Sequence, residues 1–259
     1  MNRETVGATP ALTIDGDLDA ETGDIDTNQA VRIGGSVLPS LTIKAGGTVD
    51  IAGEVQTGAR IDAQGDVSAG SLTGALVRAG GRLVVGDPDL GDGSIVGGEA
   101  YAVTALNVNG SVGSRGTTPT TAGIMSDPVI VARLAKAREG IEFCQRDILR
   151  IFRTLDLQSI DKAQVQALFQ RLTPNKKPFA IALLKQLNQL AGVRDELRSK
   201  RQEQEDRHAR QLQDARLTVS ATAFSGTRIR LGESDFLLTQ DLLSPSFFLA
   251  DGVIAVDSP

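Results

Sequence analysis

A six-residue repeat of aliphatic residues runs through the first quarter of the 259-residue chain. The residue two places before most members is Gly or Ala, and the members are Ile25, Val31, Val37, Ile43, Val49, Val55, Ile61 and Val67. The sequence also repeats over a longer period, since the segments that begin at Ile43, Ile61 and Val77 match at offsets of 18 and 16 residues. A repeat this short cannot bury its apolar face alone and must stack on copies of itself.

Three six-residue units make one coil of this repeat. Side chains alternate along a strand, so each unit places small, aliphatic and small residues on one side. Such residues fill a narrow prism, and an aromatic content of 3% with no Trp suits this core. The pattern therefore predicts a three-sided β-solenoid over about residues 12–124, with glycine at its corners. A glycine-rich β-sandwich is the alternative.

The next part of the chain has a helical pattern. Apolar residues recur in steps of four and three, which indicates a heptad seam: Ile130, Leu134, Ala137, Ile141, Cys144, Ile148, Ile151 and Leu155. Ser126-Asp127-Pro128 marks its start. After a short amphipathic piece, a second long helix is predicted from about residue 177 to 216.

The predicted fold class is therefore mainly β with inserted α. Residues 1–125 form the solenoid, residues 126–216 a long antiparallel coiled-coil hairpin, and residues 217–259 a β segment that completes and caps the solenoid. Bulky residues such as Phe247-Phe248-Leu249 suit a cap because a solenoid must protect its open end from edge pairing. A binding patch is the alternative reading of this cluster.

The hairpin geometry also predicts self-association. If both ends return to the solenoid, Ile141 faces the region of Glu205 and Ile148 that of Arg198, and both regions are polar. Burying each Ile is worth about 1.5–3 kcal/mol, so we expect the seam to pack against another chain. The predicted homo-oligomer interface is Leu134, Ala137, Ile141, Cys144, Ile148 and Ile151. Packing on the solenoid, or on a differently placed return helix, is the alternative.

Charge is unevenly distributed along the chain. Lys and Arg outnumber Asp and Glu by 18 to 12 in residues 126–216, whereas the flanking segments are acidic and the whole chain has a net charge of −5. A solvated helix face is expected, because i,i+4 pairs such as Glu203 with Arg207 compensate part of the charge. The basic hairpin also suits an acidic protein partner, which is the next interpretation, or an anionic membrane surface. Nucleic acid is not expected, because the hairpin lacks stacking aromatic residues and a dense basic run.

Several short motifs resemble the FapA (flagellar assembly protein A) family, in which a β-helix is interrupted by a long helical hairpin and then resumes. They are Gly97-Gly98-Glu99-Ala100, Val112-Gly113-Ser114-Arg115-Gly116-Thr117 with Thr120 and Gly123, Phe224-Ser225-Gly226-Thr227-Arg228-Ile229, and Phe248-Leu249-Ala250-Asp251-Gly252-Val253-Ile254. The resemblance implies a bacterial cytoplasmic protein of no known enzymatic activity, connected with flagellar assembly or its regulation through protein contacts.

The six-residue repeat also resembles that of bactofilins, polymerising cytoskeletal proteins with a right-handed triangular β-helix. This resemblance implies a right-handed solenoid and offers filament formation as an alternative function. A capped C-terminal end weighs against filaments because it cannot stack. The absence of a signal peptide or a long apolar run, together with the single Cys144, favours the cytoplasm.

No catalytic, cofactor-binding or metal site is predicted. The repeat is similar to that of hexapeptide acyltransferases, which use a histidine as general base. The single histidine, His208, lies in a polar helical stretch, where a solvated position is expected. Asp87, Asp89 and Asp92 could bind Ca²⁺, but they lack the spacing of a calcium loop and favour an acidic turn. Cys144 lies on the seam, where a buried thiol is inert.

Overall fold

A computed structural model describes residues 11–116 and 118–258. The chain forms two compact units. One contains the residues up to Asp127 and those from Arg210 onward, and the other contains Pro128–Ala209. The first unit is a β-solenoid of about six turns, and the helices are inserted within it in the sequence. The β-solenoid with inserted helices confirms the predicted fold class at this level.

Strands make up the solenoid, and all the described helices lie between the fourteenth and fifteenth strands. The strands are β1 Ala11–Ile14, β2 Ile25–Thr27, β3 Ala30–Ile33, β4 Thr42–Ala45, β5 Val49–Val55, β6 Arg60–Ala63, β7 Val67–Thr73, β8 Leu76–Ala79, β9 Arg82–Val85, β10 Gly93–Val96, β11 Gly98–Ala102, β12 Ala105–Val108, β13 Gly110–Val112, β14 Thr120–Ile124, β15 Arg216–Val219, β16 Thr222–Ala223, β17 Arg228–Leu231, β18 Ser234–Leu237, β19 Leu242–Leu243, β20 Ser246–Ala250 and β21 Val253–Asp257. The helices are α1 Pro128–Leu155, α2 Lys162–Arg171 and α3 Lys177–Asp214, with a 3-10 turn at Pro174–Lys176.

Parallel strands stack into three ladders, one for each face. The first ladder contains β1, β3, β5, β7, β9, β12 and β15, and the third contains β2, β4, β6, β8, β11, β14 and β17. The second contains the ends of β5 and β7, then β10, β13 and β16, and single bridges from Leu18 to Val37 and from Val37 to Val55 extend it. β5 and β7 each turn a corner of the solenoid, and the register between them shifts after Ile51. The two strands therefore belong to two ladders.

Aliphatic side chains of successive turns stack directly on one another. Ile43 pairs with Ile61, and Ile61 pairs with Val77, which reproduces the offsets of 18 and 16 residues read from the sequence. All members of the six-residue repeat are buried in the solenoid core. Burying each Val or Ile contributes about 1.5–3 kcal/mol, so the stack of aliphatic residues is the main source of stability.

Glycine permits close contact between turns at the corners. At Gly110, where φ is +156°, a Cβ would lie 1.8 Å from the carbonyl oxygen of Gly93. No side chain fits at that distance, so this corner requires glycine.

The helical insertion interrupts the solenoid without disturbing its ladders. Asn107 and Thr218 are 111 residues apart in the sequence but neighbours in the first ladder, and their side chains hydrogen-bond at 2.9 Å. The backbone N–H of Phe224 donates to the carbonyl of Val112, so the second ladder also resumes. The insertion therefore adds no strand to the solenoid core.

The helices form a core of their own. α1 begins at Pro128, as the first-turn proline predicts, and Asp161 caps α2 by accepting the backbone N–H of Gln164 at 2.8 Å. The buried residues of this core come from all three helices and the loop after α1, and they are Ile151, Leu155, Leu157, Leu168, Ala180 and Leu187.

The C-terminal segment folds back on the last parallel turn. β20, β19 and β18 pair antiparallel with β15, β16 and β17, which belong to the first, second and third ladders. β21 then pairs antiparallel with β20. Phe247 lies opposite Leu217 and is fully buried. Each ladder of the last turn thus has an antiparallel strand on the edge that would otherwise continue the stack.

Candidate interaction surfaces

The outward row of the third ladder alternates in charge. Asp26 pairs in register with Lys44, Lys44 with Asp62, and Asp62 with Arg78. Opposite charges on adjacent strands attract one another. This part of the face is therefore compensated internally and has no large patch of a single sign.

Tyr101 continues this row and links it to the C-terminal strands. Its hydroxyl lies 3.4 Å from Nη1 of Arg230, two rungs away, because the intervening Gly123 has no side chain to block it. Arg230 donates two hydrogen bonds to Asp235, at 2.8 and 3.2 Å. Burial raises the pKa of Tyr101, and the hydrogen bonds from Arg230 lower the pKa of Asp235. The cluster joins β11 to β17 and β18 and is structural in character.

Two of the glycine motifs, separated by the insertion, meet at one corner. Gly113 has φ +81°, and a Cβ there would lie 2.1 Å from Oγ1 of Thr227. Thr227 is buried, and its hydroxyl donates to the carbonyl of Val112 at 3.4 Å. The buried hydroxyl of Thr120 accepts the N–H of Gly97 at 2.8 Å. Thr227 therefore links the turns on the two sides of the insertion, whereas Thr120 links two turns that precede it. Thr117 lies outside the described residues.

The six residues of the predicted oligomer interface differ in exposure. Ile141, Cys144, Ile148 and Ile151 are only 3–7% exposed within the single chain. Leu134 and Ala137 are half-buried. Four of the six side chains are thus covered before any second chain is present.

The register of α3 against α1 explains this burial. The sequence-based register placed Ile141 near Glu205, but Leu197 lies here instead, with Cδ1 2.9 Å from the position of a Cβ on Gly140. In the expected register Gly140 faces about residue 206, so that register was wrong by about nine residues, roughly two and a half helical turns. This displacement brings the apolar half of α3 opposite the middle of the α1 seam.

The same displacement places polar side chains of α3 beside the start of α1. Arg201, Gln204 and His208 continue the heptad spacing from Leu197. Each has a buried atom with no hydrogen-bond partner among the described residues: Nε of Arg201, Oε1 of Gln204 and Nδ1 of His208. His208 is accordingly half-buried, not solvated as expected. Nε of Arg201 does lie 3.3 Å from Oε1 of Glu205 in an ion pair. An unsatisfied buried polar group costs about 1–3 kcal/mol, and at this end of the helix pair that cost falls on Gln204 and His208.

Two grooves flank this region, and Leu134 and Arg201 line both of them. The larger groove, of about 880 Å³, contains charges of both signs, including the ion pair of Arg138 with Glu142 at 3.2 Å. The smaller groove, of about 450 Å³, has apolar side chains of both helices at its centre and a mainly basic rim. These grooves were not predicted, although the heptad spacing from Leu197 to Gln204 is a signal in the sequence for one of the helix faces that line them.

The acidic residues considered as calcium ligands lie in a turn on the surface of the described chain. The Asp87 carboxylate accepts the N–H of Asp89 at 2.8 Å, and the Asp92 carboxylate accepts the N–H of Asp87 at 3.3 Å, so these residues form an exposed acidic turn. Within residues 11–116 and 118–258, no group of three or more His, Cys, Asp or Glu could hold a metal ion. None of the described helices combines the length and apolarity needed to cross a membrane.

Comparison with known proteins identifies one family. The model of the Flagellar Assembly Protein A (FapA) β-solenoid domain matches residues 10–75 and 69–254, which is nearly the whole chain and includes the insertion. No match was found among curated proteins or among solved structures. The resemblance inferred from the glycine motifs is therefore confirmed.

Proposed function

The chain belongs to the FapA β-solenoid family, and on that premise we propose that it is a non-enzymatic scaffold or adaptor connected with bacterial flagellar assembly or its regulation. In this proposal the solenoid is a rigid support, and the inserted helices contact protein partners in the cytoplasm.

The separation between the insertion and the solenoid ladders is the observation that carries this proposal. Leu106 pairs directly with Leu217, so the ladder is complete without the helices. The insertion exposes large apolar side chains, including Phe143 and Phe179, which are 55% and 61% exposed. Exposed apolar groups on an element that the solenoid does not need support a role in recognition.

We further propose that α1 and α3 form an antiparallel coiled-coil hairpin. Leu197 lies beside Gly140, while Leu187 shares a core with Ile151. Moving forward along α1 thus corresponds to moving backward along α3, which supports the antiparallel arrangement. We also carry over a right-handed solenoid from the resemblance to bactofilins.

Homo-oligomerisation through the hairpin stays in the proposal. Because Ile141 and Ile148 are buried in one chain, exposed side chains such as Phe143 would have to complete the interface. Light scattering of the intact chain should show a defined oligomer, and Phe143→Asp should give a folded monomer. A monomeric intact chain would contradict the oligomer. Ile141→Asp is the comparison, because a charge at this buried position should reduce helical circular dichroism.

The filament alternative predicts end-to-end stacking. The antiparallel pairing of β18, β19 and β20 with the last turn weighs against it. Electron microscopy of the purified chain at about micromolar concentration tests this point. The appearance of filaments would favour the filament-forming function over the scaffold function.

A genetic experiment tests the flagellar role. Deletion of the gene in the bacterium that encodes it should reduce the number of assembled flagella or displace them, and the intact chain should restore them. Fractionation of the same cells locates the protein. Unchanged flagella in the deletion strain would refute the flagellar function.

A further inference from the structure

The smaller of the two grooves has the features of a peptide-binding groove. Leu134 and Ala137 of α1 and Leu197 of α3 supply its apolar side chains, and all are half-buried. The α3 residues that line it run from Leu197 to Gln204, a length of about 11 Å at the rise of an α-helix. That length matches two turns of a partner helix.

The rim of this groove is basic. Arg133, Lys136 and Lys200 line it together with one acidic residue, Glu203. Lys200 pairs with Glu196 at 2.6 Å, whereas neither Arg133 nor Lys136 forms an ion pair with any residue that the structure describes. Two uncompensated cations therefore border an apolar centre.

Two polar atoms are buried beside the apolar centre, Nε of Arg201 and Oε1 of Gln204, and neither forms a hydrogen bond within the described chain. Nε of Arg201 lies 3.3 Å from Oε1 of Glu205, so the carboxylate of Glu205 already compensates its charge. Oε1 of Gln204 has no such partner among the described residues, and a hydrogen-bond donor would satisfy it.

The larger groove, on the other flank, has a different character. Its acidic residues Glu139, Glu142 and Glu205 outnumber its basic residues Arg138 and Arg201. Two of the acids are already paired, Glu142 with Arg138 and Glu205 with Arg201. Of these two grooves, the smaller one therefore combines apolar side chains with unpaired positive charge.

We propose that the smaller groove binds an acidic amphipathic helix of a partner protein. The apolar face of the helix, with residues at i, i+3 or i+4 and i+7, packs on Leu134, Ala137 and Leu197. Its flanking Glu or Asp side chains pair with Arg133 and Lys136. This inference deepens the adaptor function proposed above and rests on it.

A designed peptide tests the groove in the intact chain. The probe is a fluorescein-labelled helix of about four turns, with Leu on one face and Glu on the flanks. Fluorescence polarisation should show saturable binding that weakens as salt screens the charges. A peptide of the same composition with Leu scattered around the helix is the control. Equal affinity for both peptides, or no binding of the probe at about 100 µM, would overturn the proposal.

Charge reversal locates the binding site. Arg133→Glu with Lys136→Glu should weaken probe binding about tenfold or more, because two attractive pairs become repulsive. Arg146→Glu with Lys185→Glu makes the same change in net charge on exposed residues of α1 and α3 that do not line the groove, and should leave affinity nearly unchanged. Equal losses in the two double variants would show nonspecific charge attraction and overturn the proposed site.

Two further measurements separate this inference from the proposed function. If Arg133→Glu with Lys136→Glu dissociates an oligomer of the intact chain, a second copy occupies the groove and the partner-helix proposal is wrong. In the deletion strain, this double variant should fail to restore flagella. If the variant fully restores flagella, the proposed binding site is wrong but the scaffold function stands. If the deletion has no phenotype, the proposed function itself is wrong.

Discussion

Phe247 offers a direct test of how the C-terminal strands protect the end of the solenoid. It lies on β20, is fully buried, and faces Leu217 of the last parallel turn. Its strand neighbour Phe248 is half-buried and lies near Arg216, whose guanidinium carbon is 4.8 Å from the ring centroid. The two residues thus form a matched pair in one strand, one in the core and one partly outside it.

The expected magnitudes differ for the two residues. Phe247→Ala removes a completely buried ring, which costs about 3–5 kcal/mol. Phe248→Ala removes a partly exposed ring and a cation–π contact worth about 0.5–1 kcal/mol at an exposed site, together with modest apolar burial. In a solenoid each turn contacts only its neighbours, so the loss at Phe247 falls mainly on the C-terminal strands.

Native-state hydrogen exchange measures this local stability. Phe247→Ala should raise exchange in β15 and β20 by about a hundredfold or more, since each 1.4 kcal/mol is tenfold. The backbone bond from the Val219 N–H to the Pro245 carbonyl, 3.0 Å in the structure, is a suitable reporter. Exchange in the early turns, around Ile43, should be unchanged. Equal effects of Phe247→Ala and Phe248→Ala would refute the inference that the buried ring anchors these strands.

Two further predictions concern the corner motif and the Arg230 cluster. Gly113→Ala should destabilise the solenoid by about 1–3 kcal/mol, because φ is +81° and the new Cβ would meet Thr227 Oγ1 at 2.1 Å. Gly116→Ala is the control for urea unfolding, since its Cβ would meet only Ser114 Oγ, at 3.5 Å, and similar losses at both glycines would contradict the steric account. Arg230 lowers the pKa of Asp235 from its ordinary value of 3.8. The ionised carboxylate therefore stabilises the folded state above pH 3.8, and this stabilisation is lost as pH falls through the lowered folded-state pKa. Asp235→Asn should therefore lower the urea midpoint at neutral pH and have a shrinking effect in acid, whereas a difference independent of pH would refute that role.

The periodicity of the sequence was sufficient to predict the solenoid core. Ile43, Ile61 and Val77 stack in the predicted register because a strand places alternate side chains on one face and a short repeat must stack on itself. The heptad spacing likewise predicted a helix through Ile141 and Ile148. The glycine motifs predicted the family, which the match to the family model confirms. At Gly113 the close approach of Thr227 leaves no room for a side chain.

The register of the two long helices could not be derived in the same way. Aligning the helix ends at the solenoid suggested Glu205 as the neighbour of Ile141, but the structure places Leu197 in that region. Burial of apolar side chains between the two helices contributes more to stability than alignment of the helix ends does. The groove near Leu134 and Gln204 follows from that register and was therefore not predicted.

Features with a local cause could be predicted from the amino-acid sequence: the stacked aliphatic repeat, the corner glycines and the long α1 seam. Contacts between side chains distant in the chain depend on the three-dimensional fold. It paired Phe247 with Leu217, joined Gly113 to Thr227 across the insertion, and left Oε1 of Gln204 without a hydrogen bond beside a basic groove. The physical reason is that periodicity specifies the face of an element, while its partner and register depend on the packing energy of the whole fold.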